Sequence, residues 1–359
     1  MRFSDTQPAR LRQIVLALVV CLAWLASLAT PPACTFGQSA SSTSKPAPAP
    51  ARWRGLIGEY GPDNDIVVVL EKDGGLFALF KRERFEPLTE VSRNVFRFTI
   101  QNEIRPVVFT RDRHGRATQV AFDTVVLKRR PIEPESGNQL RIKPVRPVAE
   151  LMKEALAAQP PPENGDFLNT DLVELRKLDS TIRLEVRYAT TNNFLGSKFY
   201  TQARAFMQRP AAEALVRAHR NLKRQGYGLL IHDAYRPWYV TKVFWDAFPE
   251  DKKLFVADPA RGSRHNRGCA VDLTLYHLKT GKPVEMVATY DETTDRSHSD
   301  YPGGTSLQRW HRDLLRKAME AEGFAIYADE WWHFDYKDWQ KYRIGNVRFE
   351  EIALQNRER

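Results

Sequence analysis

From Trp53 to Lys128 the chain is written in short β-branched and aromatic runs broken by tight turns. After Pro162 that texture is gone. Ile66–Glu71, Leu76–Phe80, Val95–Ile100, Val107–Thr110 and Thr118–Phe122 read as strands, with turn signals at Asp73-Gly74-Gly75 and His114-Gly115. No apolar stripe of helical period crosses them. Closely spaced strands with tight turns predict a small all-β meander, closed or half-closed as a barrel, over residues 52–130.

Residues 131–165 are rich in proline and read as a linker, with one helix expected at Val148–Ala158. Beyond them strands and helices mingle. Arg209-Pro210 opens a helix whose Ala211, Leu215, Ala218 and Leu222 share a face, and Gly226 stops it. Gly228–His232 is a short strand, followed by Pro237 at an expected helix start. Thr305 and Gln308 form a capping box for a helix whose expected core face is Leu307, Trp310, Leu314, Ala318 and Ala321. Without strict βαβ alternation, residues 166–345 read as an α+β domain, and 346–359 as a charged tail. Two domains suit a chain of 359 residues.

The front end reads differently. Arg2, Arg10 and Arg12 precede the uncharged apolar run Ile14–Leu28, and Ser27-Leu28-Ala29 offers small residues for cleavage. The run falls short of the roughly 20 residues that span a bilayer core, so residues 1–29 read as an export signal, cleaved after Ala29, Ala33 or Ala40. The mature protein is then expected in the periplasm or secreted, without a membrane anchor. Residues 30–51, rich in Ser, Pro and Ala, read as disordered linker. They hold Cys34; with Cys269 expected as a small buried residue, a structural disulfide is not expected.

The net charge is +10. Residues 1–51 carry an excess of 3 and residues 52–130 an excess of 4, which leaves 3 for everything after. A basic excess spread this thinly excludes a nucleic-acid partner for the larger domain.

Eight histidines are present. His114 sits in a hairpin turn, His277 at a strand end, His232 beside an apolar strand and His298 in a polar loop, while His219 and His311 are expected on exposed helix faces. His265 and His333 keep different company. In Ser263–Asp272 (SRHNRGCAVD) a carboxylate follows the histidine by seven residues, and an alternating run continues to Leu275. In Glu330–Tyr336 (EWWHFDY) a glutamate precedes the histidine by three. Two imidazoles and one carboxylate suit zinc and leave a fourth position for water, for which a nearby unligated glutamate can act as base. The competing readings are a structural zinc and a charged loop buttressing aromatics. If Glu330 and His333 lie in one regular strand, they face opposite sides, so Glu330 has to sit in the turn before it. Arg236, between a strand end and a proline-started helix, can offer a fixed guanidinium to an oxyanion.

Together, Ser263–Leu275, Glu330–Tyr336 and Asp233–Pro237 (DAYRP) resemble the zinc D-alanyl-D-alanine dipeptidases, the VanX-like family. So do Val186–Phe194, Gln225–Leu230 and Arg296–Ser299, and the likeness runs from about Asp171 to Tyr342. It implies one zinc ion held by His265, Asp272 and His333, Glu330 as catalytic base, and Arg236 as transition-state stabiliser. Ser263 and Asp233 match positions beside the site and are assigned to substrate contacts. The implied fold is an antiparallel sheet flanked by helices, as in DD-peptidase and hedgehog-like domains. Cys269 stands where a serine or similar small residue is expected. Separately, Gly58–Gly61 and Phe109–Gly115 resemble lipocalin-like modules appended to bacterial hydrolases, which leaves wall contact through the β-module open.

The implied function is hydrolysis of the D-alanyl-D-alanine dipeptide in cell-wall metabolism. The alternatives are a D,D- or L,D-carboxypeptidase or endopeptidase on peptidoglycan stem peptides, and a non-catalytic wall-binding protein with a structural zinc.

Overall fold

The computed structural model of the chain describes residues 44–131 and 141–355. The expected export signal, its cleavage sites and Cys34 lie outside the described residues. No described helix is long and apolar enough to cross a membrane.

A short helix, α1 (Ala51–Arg54), leads into eight strands: β1 (Gly58–Tyr60), β2 (Val67–Lys72), β3 (Gly75–Phe80), β4 (Arg84–Ser92), β5 (Val95–Ile100), β6 (Glu103–Arg111), β7 (Ala117–Phe122) and β8 (Val125–Lys128). Each pairs antiparallel with the next, in chain order. The ends then meet: Tyr60 bridges Arg129, Gly61 N–H donates to Lys128 O, and Arg130 N–H donates to Glu59 O. The meander is thus nearly closed as a barrel. Alternation decides what faces inward. In β5, Phe96 and Phe98 are buried while Arg97 and Thr99 face solvent. The β2–β3 hairpin turns on Asp73 and Gly74, both at positive φ, which suits the twist of a two-residue hairpin. Sequence reading missed β4, a largely exposed, polar strand interrupted by Pro87, and the very short β1 and β8.

Past this barrel, α2 (Val148–Ala157) sits where expected and buries Leu151 and Ala155. Then follow β9 (Leu172–Glu174), α3 (Leu175–Leu178), β10 (Arg183–Leu184), β11 (Phe206–Gln208), α4 (Arg209–Lys223), β12 (Tyr227–Asp233) and α5 (Trp238–Ala247). The chain ends with β13 (Ala270–His277), α6 (Ser306–Glu320), β14 (Phe324–Tyr327), β15 (Glu330–Tyr336) and α7 (Phe349–Gln355). Five strands form one sheet in the order β10-β12-β13-β15-β14. Only β10 and β12 run parallel. Helices flank this mostly antiparallel sheet, as expected. Val271, Leu273 and Leu275 on one face of β13 join Leu215, Leu222 and Leu315 in the main core.

The barrel shares that core. Val68, Leu70 and Leu79 belong to the same apolar cluster. Polar contacts reinforce the seam: Glu71 accepts from Ser306 N–H at 2.8 Å, its carbonyl accepts from Arg309, and Tyr301 OH donates to Glu59 at 2.8 Å.

Several details differ from expectation. His219 and His311 are buried, not exposed. His219 accepts from Leu229 N–H and contacts Thr181 Oγ1, so a polar residue on α4 packs inward with both ring nitrogens engaged. The capping box of α6 is present, but its most buried line is His311, Leu315 and Met319. Trp310, Leu314 and Ala318 are only partly buried beside it, and Ala321 is exposed. The expected tail contains α7, because Phe349 and Ile352, three residues apart, bury one helical face. Residues 44–50, expected within the linker, lie against the protein, with Ala49 buried.

Candidate metal centre

Asp272 on β13 pairs directly with His333 on the neighbouring β15. His265 arrives from a 3₁₀ turn, His265–Arg267, that Gly268 ends at φ 69°. A Cβ on Gly268 would meet Leu172 Cδ2 at 2.6 Å, so glycine is what allows the chain to reverse there into β13. The three side chains are 1%, 3% and 8% exposed for His265, Asp272 and His333.

Their inward atoms converge. His265 Nε2 lies 3.2 Å from His333 Nδ1 and 3.3 Å from Asp272 Oδ1, and His333 Nδ1 lies 2.9 Å from the same oxygen. The outer nitrogens are both engaged with acceptors: His265 Nδ1 donates to Ala234 O at 2.7 Å, and His333 Nε2 to Asp335 Oδ1 at 3.0 Å. Those bonds turn a lone pair of each neutral ring inward, beside a carboxylate oxygen. Three lone pairs facing one another need a cation between them. The edge of a tetrahedral zinc site with bonds of about 2.0–2.1 Å is about 3.3–3.4 Å, close to what is found. Acceptors on the outer nitrogens are also the usual support for metal-binding histidines. The residues therefore fit a metal ion. With only a proton available, burial works against charge on His333, yet its bonds to Asp272 and Asp335 hold its pKa at about 10. Burial also opposes ionisation of Asp272, but His265 and His333 hold it well below the usual carboxylate range.

Glu330 opens β15, and its Oε2 lies 3.7 Å from His333 Nδ1. The facing problem is solved by an irregular register. Ile326 pairs with Phe334 but Tyr327 pairs with Glu330, so residues 331–333 bulge relative to β14 while His333 keeps its pairing with Asp272 on β13. Alternation is broken between Glu330 and His333, and both reach the same cavity. Burial, with Asp272 and Asp329 adding to it, pushes the Glu330 carboxyl up to about 7 against the pull of His333 and Arg236. That value suits a group that must take and return a proton near neutrality.

Arg236 follows β12 and is 9% exposed. Its Nε donates to Asp233 Oδ2 at 2.8 Å, and the guanidinium lies over the rings of Tyr188 and Phe244. Asp233 also accepts from Tyr200 OH at 2.8 Å. Both its oxygens are used, so Asp233 stands behind Arg236 and does not line the cavity, unlike Ser263. The cavity, about 210 Å³, is bounded by Arg236, His265, Asp272, Glu330, His333 and Ser263. It is smaller than the roughly 300–1,000 Å³ usual for ligand pockets, and suits a very small substrate.

Sequence reading missed an outer ring of partners. Tyr290 OH donates to Asp272 Oδ2 at 3.1 Å, and Tyr188 OH donates to Asp291 at 3.1 Å. Asp291, at positive φ, borders the cavity, and burial together with Asp272 and Glu330 holds its carboxyl well above the usual range. Tyr188 lay inside a segment already singled out. Asp335 lay two residues beyond His333, on the same strand face, and that spacing could have found it.

Residues 168–350 match the family described as D-ala-D-ala dipeptidase. The chain belongs to the D-Ala-D-Ala dipeptidase family. It is 36% identical over 166 residues to the D-alanyl-D-alanine dipeptidase of Escherichia coli K12, an alignment covering 46% of this chain and 84% of that protein. It is 37% identical over 175 residues to that of Enterococcus faecalis (44% and 87% covered), and 35% over 192 residues to that of Streptomyces coelicolor (48% and 93%). As a member of this family of peptidases, the chain brings a metal-fitting triad, a raised carboxyl and a buried guanidinium to one small cavity.

Proposed function

We propose that this chain hydrolyses D-alanyl-D-alanine to two D-alanines in a zinc-dependent reaction, with Glu330 as general base. The observation that carries the reading is the nest of three inward lone pairs with the raised Glu330 carboxyl 3.7 Å from it. His265, Asp272 and His333 would hold the ion. When bound, zinc supplies Lewis-acid polarisation of a peptide carbonyl and acidifies a water molecule.

The chain's own groups do the rest. Glu330 takes a proton from the water as its oxygen adds to the scissile carbon. It then gives that proton to the leaving amine nitrogen as the C–N bond breaks. Arg236, held rigid by Asp233 and two aromatic faces, donates to the developing oxyanion. Ser263, on the cavity wall, contacts the substrate. Asp233 positions Arg236. The apolar export segment supports placing the reaction outside the cytoplasm, which fractionation of the native protein would test.

The test is product analysis on purified enzyme with D-Ala-D-Ala. Wild type should release D-alanine and Glu330→Gln should not; a Glu330→Gln enzyme with wild-type turnover would remove the mechanism.

One observation favours a second reading. A further cavity of about 330 Å³ shares Phe194, Leu254, Phe255, Tyr327 and Glu330 with the first. A longer stem peptide could extend into it. Offering D-Ala-D-Ala beside a pentapeptide separates the readings, and cleavage of the pentapeptide alone selects carboxypeptidase action.

A further inference from the structure

The excess positive charge of the barrel is not spread evenly over it. A depression of about 790 Å³, between α1, the β4–β5 turn and the β6–β7 hairpin, is lined by Arg52, Arg54, Arg93, Arg111, Arg116 and Arg129. Among the described residues it has one carboxylate in its wall, Glu90, which accepts from Arg52 Nε and Trp53 Nε1 at 2.9 Å each. Asp112, on the same hairpin, accepts the backbone N–H groups of His114 and Arg116. Elsewhere on the barrel, Arg82, Arg84, Arg105 and Arg130 each pair with a carboxylate.

Two of the arginines in the depression are held without one. Arg111 donates to the carbonyls of Gly115, Arg52 and Arg93 and to Asn94 Oδ1. Arg129 donates to the carbonyls of Gly55 and Ile57 and to Tyr60 OH. Such acceptors orient the planar forks but leave their charges uncompensated. Glycines make the room: a Cβ on Gly58 would lie 2.6 Å from Arg129 Nη2, and one on Gly55 would lie 3.2 Å from Arg111 Nη1. Burial and the neighbouring Arg93 charge hold Arg111 below the usual guanidinium range, and burial with Arg129 does the same to Arg116. Arg54 and Arg93 are exposed, and no hydrogen bond or ion pair to another described residue holds either side chain. The depression thus combines fixed inner cations with two outer ones whose donors solvent can reach.

A ligand here must bring negative charge and acceptors at several points. The floor carbonyls and Glu90 already accept from the protein, which leaves few acceptors for N–H groups on a ligand. Ala51 is the largest apolar side chain in the wall, so neither an acyl chain nor a stacked base finds a seat. Phosphate esters carry charge and acceptors without N–H donors, and guanidinium forks take their oxygens in pairs.

We propose that this end of the barrel binds a soluble ligand carrying several phosphate groups, a phosphodiester chain on a polar backbone without bases. Arg111 and Arg129 supply a fixed field, and Arg54 and Arg93 donate to the phosphates.

The test is calorimetric titration of the full chain with an oligomer of glycerol phosphate. Glycerol monophosphate, poly-L-glutamate and phosphatidylglycerol vesicles serve as comparisons, and each should bind less tightly per anionic group. Arg54→Gln combined with Arg93→Gln should weaken oligomer binding about tenfold or more, with the melting temperature unchanged. Arg84→Gln combined with Arg97→Gln removes the same charge outside the depression and should leave affinity within about twofold. The proposal is overturned by silence with the oligomer or by equal losses in the two double variants. Tighter binding of the monophosphate, of poly-L-glutamate or of the vesicles also overturns it.

Discussion

The cavity at the metal centre and a larger one between the barrel and the catalytic sheet both draw on β13, through Asp272 and Thr274, with Tyr290 bordering the second and bonding to the first. They treat buried polarity in opposite ways. Around the candidate metal centre the supporting groups hold one another: His265 by Ala234, His333 by Asp335, Asp272 by Tyr290, Arg236 by Asp233, Asp233 by Tyr200. Beside the barrel, six buried atoms among the described residues, Thr274 Oγ1 one of them, are left without partners. The first arrangement is what catalysis asks for, since groups already oriented need no reorganisation when charge develops. The second leaves buried polar atoms unpaired, at a cost in stability.

Mutation separates the two regimes, and the effects should fall in a definite order. Glu330→Gln should be the most damaging to turnover, lowering kcat by about 10²–10⁴ with metal content retained on elemental analysis. Arg236→Met should lower kcat by about 10²–10³. It also strands Asp233 as an unpaired buried carboxylate, so urea denaturation should register a loss of about 3–5 kcal/mol. Chelation should abolish activity and added zinc restore it; a chelated enzyme that kept full activity would break the metal half of the comparison. Tyr200→Phe, which removes a bond to a charged group, should cost about 1.5–3 kcal/mol. Thr274→Val, by contrast, removes an unsatisfied hydroxyl and should leave stability within about 0.5 kcal/mol of wild type or raise it. Similar losses from Tyr200→Phe and Thr274→Val would erase the distinction between the cavities.

A separate effect falls on acid stability. Burial lowers His219, His232 and His311 to about 4 from 6.5. The unfolded chain binds their protons first, so this contribution is complete above pH 6.5 and is lost as pH falls toward 4. The urea midpoint should drop between pH 7 and pH 5, and His219→Gln should flatten that drop.

The candidate metal centre was legible because the three residues that fit a metal ion lie in two short segments of unusual chemistry, Ser263–Asp272 and Glu330–Tyr336, with Arg236 in a third. Tyr290 and Asp291 were not, since they sit in a long loop with no local pattern and meet Asp272 and Tyr188 only through tertiary packing. Barrel strands with inward aromatics were legible; β4, which buries little, was not. Helical period placed α4 well. It misjudged α6, because a helix touched by sheet and barrel buries more than one stripe, and His311 and Arg312 go in with Leu315. Nor could any periodicity show that Val68 and Leu70 on β2 serve the core of the other half.

That shared core makes the two halves one cooperative unit. Cutting the chain after the barrel would leave the apolar faces of α6 and the sheet wet, so the halves should melt in a single calorimetric transition and residues 166–345 made alone should be poorly soluble. The barrel, on this view, is part of the enzyme's foldable minimum.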